Sequence, residues 1–325
     1  MEYRVLGRTA LRVSEVGFGA WAIGGGYHIA GFGIGYAGVD DENSKAALRR
    51  AVELGVNFID TADAYGAGHS EELIGEVMSE LGWDGVYVST KVGNQRRDPE
   101  PSVKNFSPEY VRQACEASLR RLRKDVIDVY LLHGPTPEAL QDDALFELLE
   151  RLKEEGKIRY YGASISKLEQ GVTLIKQNRA DVLQVLYNIL DRQAEEEVFP
   201  LAQQKNIGII NRVPLSSGLL TGKFTVDTTF PPEDHRYNWL KGEKLARGVE
   251  LVEKLKPIAE ELRMSLVELS LRFCLAHPAV HTVIPGAKNP AQVEANCAAG
   301  DGRALPEDVV ERIKELVPGD FGNPT

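Results

Sequence analysis

Four residues of chemically capable types close or follow short apolar runs: Asp60, Tyr65, Lys91 and His133. A phenol has an unperturbed pKa of about 10 and transfers protons poorly at neutral pH. An ammonium beside it favours the phenolate, and a carboxylate partnering that ammonium keeps it charged and in place. A neighbouring imidazole can orient or polarise a carbonyl. Together the four would serve proton transfer coupled to carbonyl or alcohol chemistry. Each also has an ordinary reading: Asp60 as a cap, Tyr65 as packing, Lys91 as a surface strand end, His133 as a satisfied core histidine. All four falling at adjacent strand ends is what the ordinary readings do not explain.

The elements that must position them are legible as alternation. Eight runs rich in β-branched and apolar residues occur at 16–19, 56–60, 86–91, 126–133, 158–164, 182–187, 207–212 and 282–285. Helical periodicity fills 42–54, 71–81, 108–122, 139–155, 167–177, 197–205, 248–276 and 290–299. Within the third of these, Val111, Ala114, Cys115, Ser118, Leu119 and Leu122 form one apolar stripe. Strands alternating with helices imply parallel pairing with helical crossovers, and eight such units predict a closed (β/α)8 TIM barrel. Polar residues at the carboxyl ends of its strands are then the candidate site. Residues 3–6 and 11–13, around Gly7-Arg8, read as an N-terminal β-hairpin plugging the barrel, and 306–317 as an extra C-terminal helix. Two segments, 21–40 and 225–244, are long enough to be functional loops.

The chain has 325 residues, 43% hydrophobic and 26% charged, enough to bury a large core as a single domain over 1–325. The net charge of −10 disfavours nucleic acid and anionic membranes and points to small-molecule partners. Cys115, Cys274 and Cys297 lie far apart, without disulfide or metal spacing, and no run approaches the roughly 18 apolar residues of a membrane helix. No metal site and a cytoplasmic location are the expectations.

Three segments resemble the tetrad-bearing segments of the aldo-keto reductase family: Phe58-Ile59-Asp60-Thr61-Ala62-Asp63-Ala64-Tyr65-Gly66, Ser89-Thr90-Lys91-Val92-Gly93 and Asp128-Val129-Tyr130-Leu131-Leu132-His133. Pro214-Leu215-Ser216-Ser217-Gly218-Leu219-Leu220-Thr221-Gly222-Lys223 and Val283-Ile284-Pro285-Gly286-Ala287-Lys288-Asn289-Pro290 resemble its cofactor loops, so the likeness covers nearly the whole chain. It implies reduction of aldehydes or ketones with NADPH, reversible as an alcohol dehydrogenase. By resemblance Tyr65 is the general acid, Lys91 and Asp60 tune it, and His133 positions the carbonyl oxygen. Potassium-channel β-subunits share this barrel, which makes a nicotinamide-binding regulatory or interaction subunit the alternative.

On the cofactor side, Asn289 as N-cap and Pro290 at the first helical position begin a helix whose free N–H groups face an anion. Lys288 beside it would meet an adenosine 2′-phosphate, with Gln292 and Asn296 on the face near the adenine. The resemblance further implies Ser164 and Gln184 at the nicotinamide carboxamide. It also implies Leu215 (through its backbone), Ser217 and Lys223 at the pyrophosphate, and Gly286 among the cofactor contacts. Three positions depart from the family pattern. Ile165 replaces a common asparagine, Arg212 replaces an aromatic ring and would stack through its planar guanidinium, and Gln292 replaces a 2′-phosphate arginine. Lys288 is therefore the main argument for NADPH, with NADH possible.

Gly33-Ile34-Gly35-Tyr36-Ala37-Gly38 fits GxGxxG, and Asp60 lies 22 residues beyond it. No strand precedes it, and the next helix opens on Asp40-Asp41-Glu42, which would repel a pyrophosphate. It reads as a glycine-rich loop whose Trp21, Tyr27, His28 and Phe32 line a substrate pocket. The basic run Arg120-Arg121-Leu122-Arg123-Lys124 ends a helix, where cations complement the dipole.

Overall fold

The computed structural model describes residues 1–29, 32–97 and 100–324, without the side chains at 27–29, 32–34, 97, 100 and 101. Its strands are β1 (Tyr3–Val5), β2 (Arg12–Ser14), β3 (Phe18–Gly19), β4 (Tyr27–Ile29), β5 (Phe32–Ile34), β6 (Phe58–Asp60), β7 (Tyr87–Val92), β8 (Asn94–Arg97), β9 (Glu100–Lys104), β10 (Ile127–His133), β11 (Ile158–Ser164), β12 (Val182–Leu186), β13 (Gly208–Arg212) and β14 (Thr282–Val283). The helices are α1 (Asp41–Glu53), α2 (His69–Leu81), α3 (Pro108–Leu122), α4 (Pro137–Gln141), α5 (Asp143–Glu154), α6 (Leu168–Lys176), α7 (Val198–Gln204), α8 (Gly242–Glu261), α9 (Leu266–Ala276), α10 (Pro290–Cys297) and α11 (Glu307–Leu316).

Eight parallel strands pair in the order β3-β6-β7-β10-β11-β12-β13-β14. Parallel bridges Val16 to Val283 and Gly19 to Gly286 join the first strand to the last. The Gly17 and Gly19 N–H groups donate across that seam to Val283 and Pro285 at 2.8 and 3.0 Å, so the sheet closes as a (β/α)8 barrel. β1 and β2 pair antiparallel across one end. From that hairpin Leu6, Leu11 and Val13 enter the barrel interior and pack with Phe58, Val129, Leu131, Val182, Ile210 and Ile284. Strand residues of opposite parity, such as Ile59, Val88, Tyr130, Leu132 and Leu183, face the helices and join Leu48, Ile74, Val111, Leu149 and Leu174 in the outer core.

Two long helical stretches are each divided. The stretch at 139–155 becomes α4 and α5 because Asp142 is extended (φ −82°, ψ 100°) and its carboxylate accepts from the Ala144 N–H at 3.0 Å, capping a new helix. The stretch at 248–276 becomes α8, which starts earlier, and α9. Arg263 turns left-handed (φ 54°) and Ser265 caps α9 by accepting from the Glu268 N–H at 3.0 Å. Two hairpins were not expected: β4 with β5 inside the glycine-rich loop, and β8 with β9 after the third barrel strand. Gly33 lies within β5, a hairpin strand, and not at a strand-to-helix turn. No helix among the described residues is long and apolar enough to cross a membrane.

Candidate active site

Strand parity places the polar residues. Side chains alternate faces along a strand, so Asp60 shares the inward face with Phe58, His133 with Leu131, Gln184 with Val182, and Arg212 with Ile210. The apolar members fill the interior above the plug, and the next inward position on each strand is polar. Register aligns these polar positions across neighbours: Asp60 opposite Ser89, His133 opposite Ser164, Ser164 opposite Gln184. Tyr65 follows β6 on a 3-10 turn, Tyr65–Gly68. At Gly66 (φ 60°) a Cβ would sit 2.2 Å from the Gly24 carbonyl oxygen, so only glycine lets this turn lie against the one after Trp21.

The four candidates converge. Lys91 Nζ donates to Asp60 Oδ2 at 2.7 Å, to the Thr61 carbonyl at 2.6 Å and to the Tyr65 hydroxyl at 3.0 Å. Asp60 Oδ1 accepts from Ser89 Oγ at 2.6 Å and Gln184 Nε2 at 2.7 Å, and Gln184 Oε1 accepts from Ser164 Oγ at 3.0 Å. The His133 and Tyr65 rings meet edge to face, 6.1 Å between centroids at 85°. Trp21 lies near-parallel to Tyr65 at 6.1 Å. Behind the turn, Glu71 is buried between Arg121, in a 2.7 Å ion pair, and Thr90, whose hydroxyl donates at 2.5 Å.

Burial decides the protonation states. The Tyr65 phenol is raised above its ordinary value because desolvation outweighs the opposing pull of Lys91. Lys91 pulls toward phenolate as the sequence predicts, burial outweighs that pull, and the phenol holds its proton. For Lys91 desolvation works against the charge, but Asp60 and Tyr65 more than restore it, and the amine stays an ammonium. His133 is pushed well below the imidazole range by burial and by Lys91, Lys104 and Arg212. It is neutral, and its buried Nδ1 has no hydrogen-bond partner among the described residues. Burial, with Glu71 adding, pushes the nearby Asp63 carboxyl up to about 8.

A turn and a group of cations adjoin this centre. After β13 the turn carries left-handed φ at Val213, Ser216, Ser217 and Gly218, and the Leu215 carbonyl accepts from Gly218 and Leu220 N–H. Lys223 and Lys288 are both lowered first by burial and then by the nearby Arg236, with Asp234 the opposing charge on Lys288. Three converging cations with one carboxylate fit a dinucleotide's phosphates. The Arg212 guanidinium is lowered by burial, donates through Nη2 to the Ile165 carbonyl at 3.0 Å, and leaves Nε buried without a partner among the described residues. Ile165 itself is core. Asn289 caps α10 by accepting from the Gln292 N–H at 3.0 Å. Lys288 Nζ reaches the Ala37 carbonyl at 2.7 Å, Gln292 Oε1 accepts from the Lys288 N–H at 2.8 Å, and Asn296 Nδ2 donates to the Gly286 carbonyl at 3.3 Å. The side chains of Tyr27, His28 and Phe32 lie outside the described residues.

Sequence reasoning missed the contribution of the second long loop. Arg236 clamps Asp234 at 2.8 and 2.6 Å and donates to the Ser217 carbonyl at 3.4 Å. His235 packs 4.6 Å from Trp21 and 4.7 Å from Tyr36, centroid to centroid. The run Asp234-His235-Arg236 was visible, but nothing in its spacing said which strand end it would cross.

Known proteins with this architecture agree with the geometry. The model of the Aldo/keto reductase family matches residues 15–318. The NADH-specific methylglyoxal reductase of Escherichia coli (strain K12) is 32% identical over 308 residues, covering 90% of this chain and 92% of its own. A probable voltage-gated potassium channel subunit beta of Oryza sativa subsp. japonica is 32% identical over 334 residues, covering 98% and 97%. The structure of a glycerol dehydrogenase from Gluconobacter oxydans superposes with a TM-score of 0.83 at 29% identity, covering 100% of this chain and 98% of that one. With barrel, strand-end polar layer and near-complete sequence match in agreement, this chain belongs to the aldo/keto reductase family and is an NAD(P)H-dependent oxidoreductase.

Proposed function

We propose that this single-domain barrel reduces small aldehydes or ketones with NADPH, Tyr65 acting as the general acid. One observation carries the reading: a proton-holding phenol 3.0 Å from a buried ammonium that is itself 2.7 Å from a buried carboxylate, opposite a neutral imidazole. The dinucleotide, when bound along Ser217, Lys223, Lys288 and Arg236, supplies the hydride. Tyr65 gives its hydroxyl proton to the carbonyl oxygen as the C=O π pair moves onto that oxygen. Lys91, fixed by Asp60 and Thr61, stabilises the phenolate left behind. His133, neutral, contacts the same oxygen and steers it toward the phenol. Ser164 and Gln184 present amide and hydroxyl groups suited to a carboxamide, and Arg212 offers a planar face to the nicotinamide. The relatives named for methylglyoxal and glycerol act on small oxygenated molecules, which sets the first substrate panel.

The test follows consumption of reduced cofactor with that panel, using NADPH and NADH. Tyr65→Phe should lower turnover by roughly 10² or more, the scale of a lost general acid, with cofactor affinity barely changed. Undiminished turnover removes Tyr65 from the role. Tight cofactor binding by the wild type without turnover of any carbonyl would instead support a regulatory subunit, the reading to which the relative named as a potassium channel subunit beta lends weight.

A further inference from the structure

Residues 320–323 run back across the barrel mouth and grip the loop after β12. Asp320 forms an antiparallel bridge with Asp191, and the Phe321 N–H donates to the Leu190 carbonyl at 2.9 Å. Asp191 Oδ1 accepts the Gly322 N–H at 2.5 Å and the Asn323 N–H at 3.3 Å, and Oδ2 accepts from Asn323 Nδ2. The Asn323 amide continues to Ser216: Nδ2 donates to Oγ at 2.7 Å and the hydroxyl donates back to Oδ1 at 3.1 Å. All three residues are buried, at 2% (Asp191), 0% (Ser216) and 6% (Asn323) exposure, so no water competes for these bonds.

Ser216 is the residue that needs holding. It has φ 47° and is followed by Ser217 at 55° and Gly218 at 93°, and Val213, three residues earlier, is also left-handed at 56°. Left-handed non-glycine residues are sterically costly, doubly so for the β-branched Val213, and persist only where the surroundings over-determine them. Leu215, at φ −104° and ψ 15°, followed by the left-handed Ser216, turns successive backbone N–H groups toward one side, the arrangement of an anion-binding concavity. Asn188 Nδ2 ties the Val213 carbonyl at 3.1 Å, and Asn323 ties Ser216.

We propose that Asn323, oriented by Asp191, is a positioning residue for cofactor binding: it holds Ser216 left-handed so that the 213–218 turn keeps the shape that accepts a dinucleotide's pyrophosphate. The inference rests on the cofactor site proposed above and extends it to a residue 107 positions away in the chain. Asn323 touches no reacting atom, so it acts on affinity and leaves the chemical step alone.

The experiment measures binding of NADPH, ADP-ribose and adenosine 2′-phosphate, together with steady-state kinetics. Asn323→Ala should raise the Kd of NADPH and of ADP-ribose about tenfold or more, leave that of adenosine 2′-phosphate, which lacks the pyrophosphate, unchanged, and keep kcat at saturating NADPH within about twofold. Glycine takes a left-handed φ without strain, so in a Ser216→Gly background the Asn323→Ala change should move the NADPH Kd by less than about twofold. A merely structural role would lower kcat and all three affinities together, without rescue, and would overturn the proposal. If Asn323→Ala does not melt cooperatively, Asn323→Ser carries the same comparisons. Wild-type protein that binds neither NADPH nor ADP-ribose sinks the cofactor site itself, whereas wild-type binding matched by the variant sinks only the positioning role.

Discussion

At the scale of single residues, burial overrides the pairwise logic that charge alone suggests. Tyr65 and Lys91 are a hydrogen-bonded phenol and ammonium, and in water the pair would bring the phenol down. Here the phenol stays high because burial penalises its charge, which suits a proton donor better than a base. Lys288 gives the residue-scale test of cofactor choice. It is half-buried and tied to the Ala37 carbonyl, so a 2′-phosphate would have to exchange a neutral acceptor for a charged one, a stronger partner. Lys288→Ala should weaken NADPH about tenfold and NADH much less. Equal losses in paired titrations would show that Lys288 does not read the 2′-phosphate. Tetrad types and spacing were readable because strand ends carry them in order. The Arg236 to Asp234 clamp was not, because loop residues have no periodicity that fixes where they land.

Among the elements, the N-terminal hairpin shows how much a few residues can seal. Leu6, Leu11 and Val13 complete the inner core against side chains from β6, β10, β12 and β13. Its turn depends on Gly7, where φ is 54° and a Cβ would lie 2.2 Å from the Gly208 nitrogen. Leu11→Ala should cost about 2–5 kcal/mol in urea unfolding by emptying interior volume. Because the plug lies at the end opposite the site, kcat should stay at the wild-type value, and a loss of kcat in folded protein would argue that the plug reaches the polar layer. Barrel strands were legible because their apolar runs end on polar residues. The breaks at Asp142 and Arg263 were not: both stretches keep an apolar period through the break, and only packing on successive strands demands a new helix direction.

For the whole molecule, four histidines set an acid limit. Burial lowers His133, His277, His235 and His281, the last two to about 4, and His281 Nδ1 accepts from the Ile209 N–H at 3.0 Å as a neutral ring. In the unfolded chain each imidazole takes a proton near pH 6.5, and in the fold it does not. The stability from these neutral rings is therefore complete above about pH 6.5 and is lost as pH falls toward about 4, by up to about 1.4 kcal/mol per pH unit for each. The urea midpoint should drop between pH 7 and pH 5, and His281→Gln should flatten that drop. An unchanged slope in the variant would remove His281 from the account.

By itself the sequence determined the barrel and the order of its parts, because alternation of apolar runs with helical stripes, and polar residues closing those runs, are local properties written along the chain. What only the tertiary structure decided is which distant groups share one buried volume: Gln184 on Asp60, Arg236 on Ser217, Asn323 on Ser216. Those contacts exist because ring closure curls eight strand ends toward one mouth, and burial there raises the Tyr65 phenol and lowers the His133 imidazole.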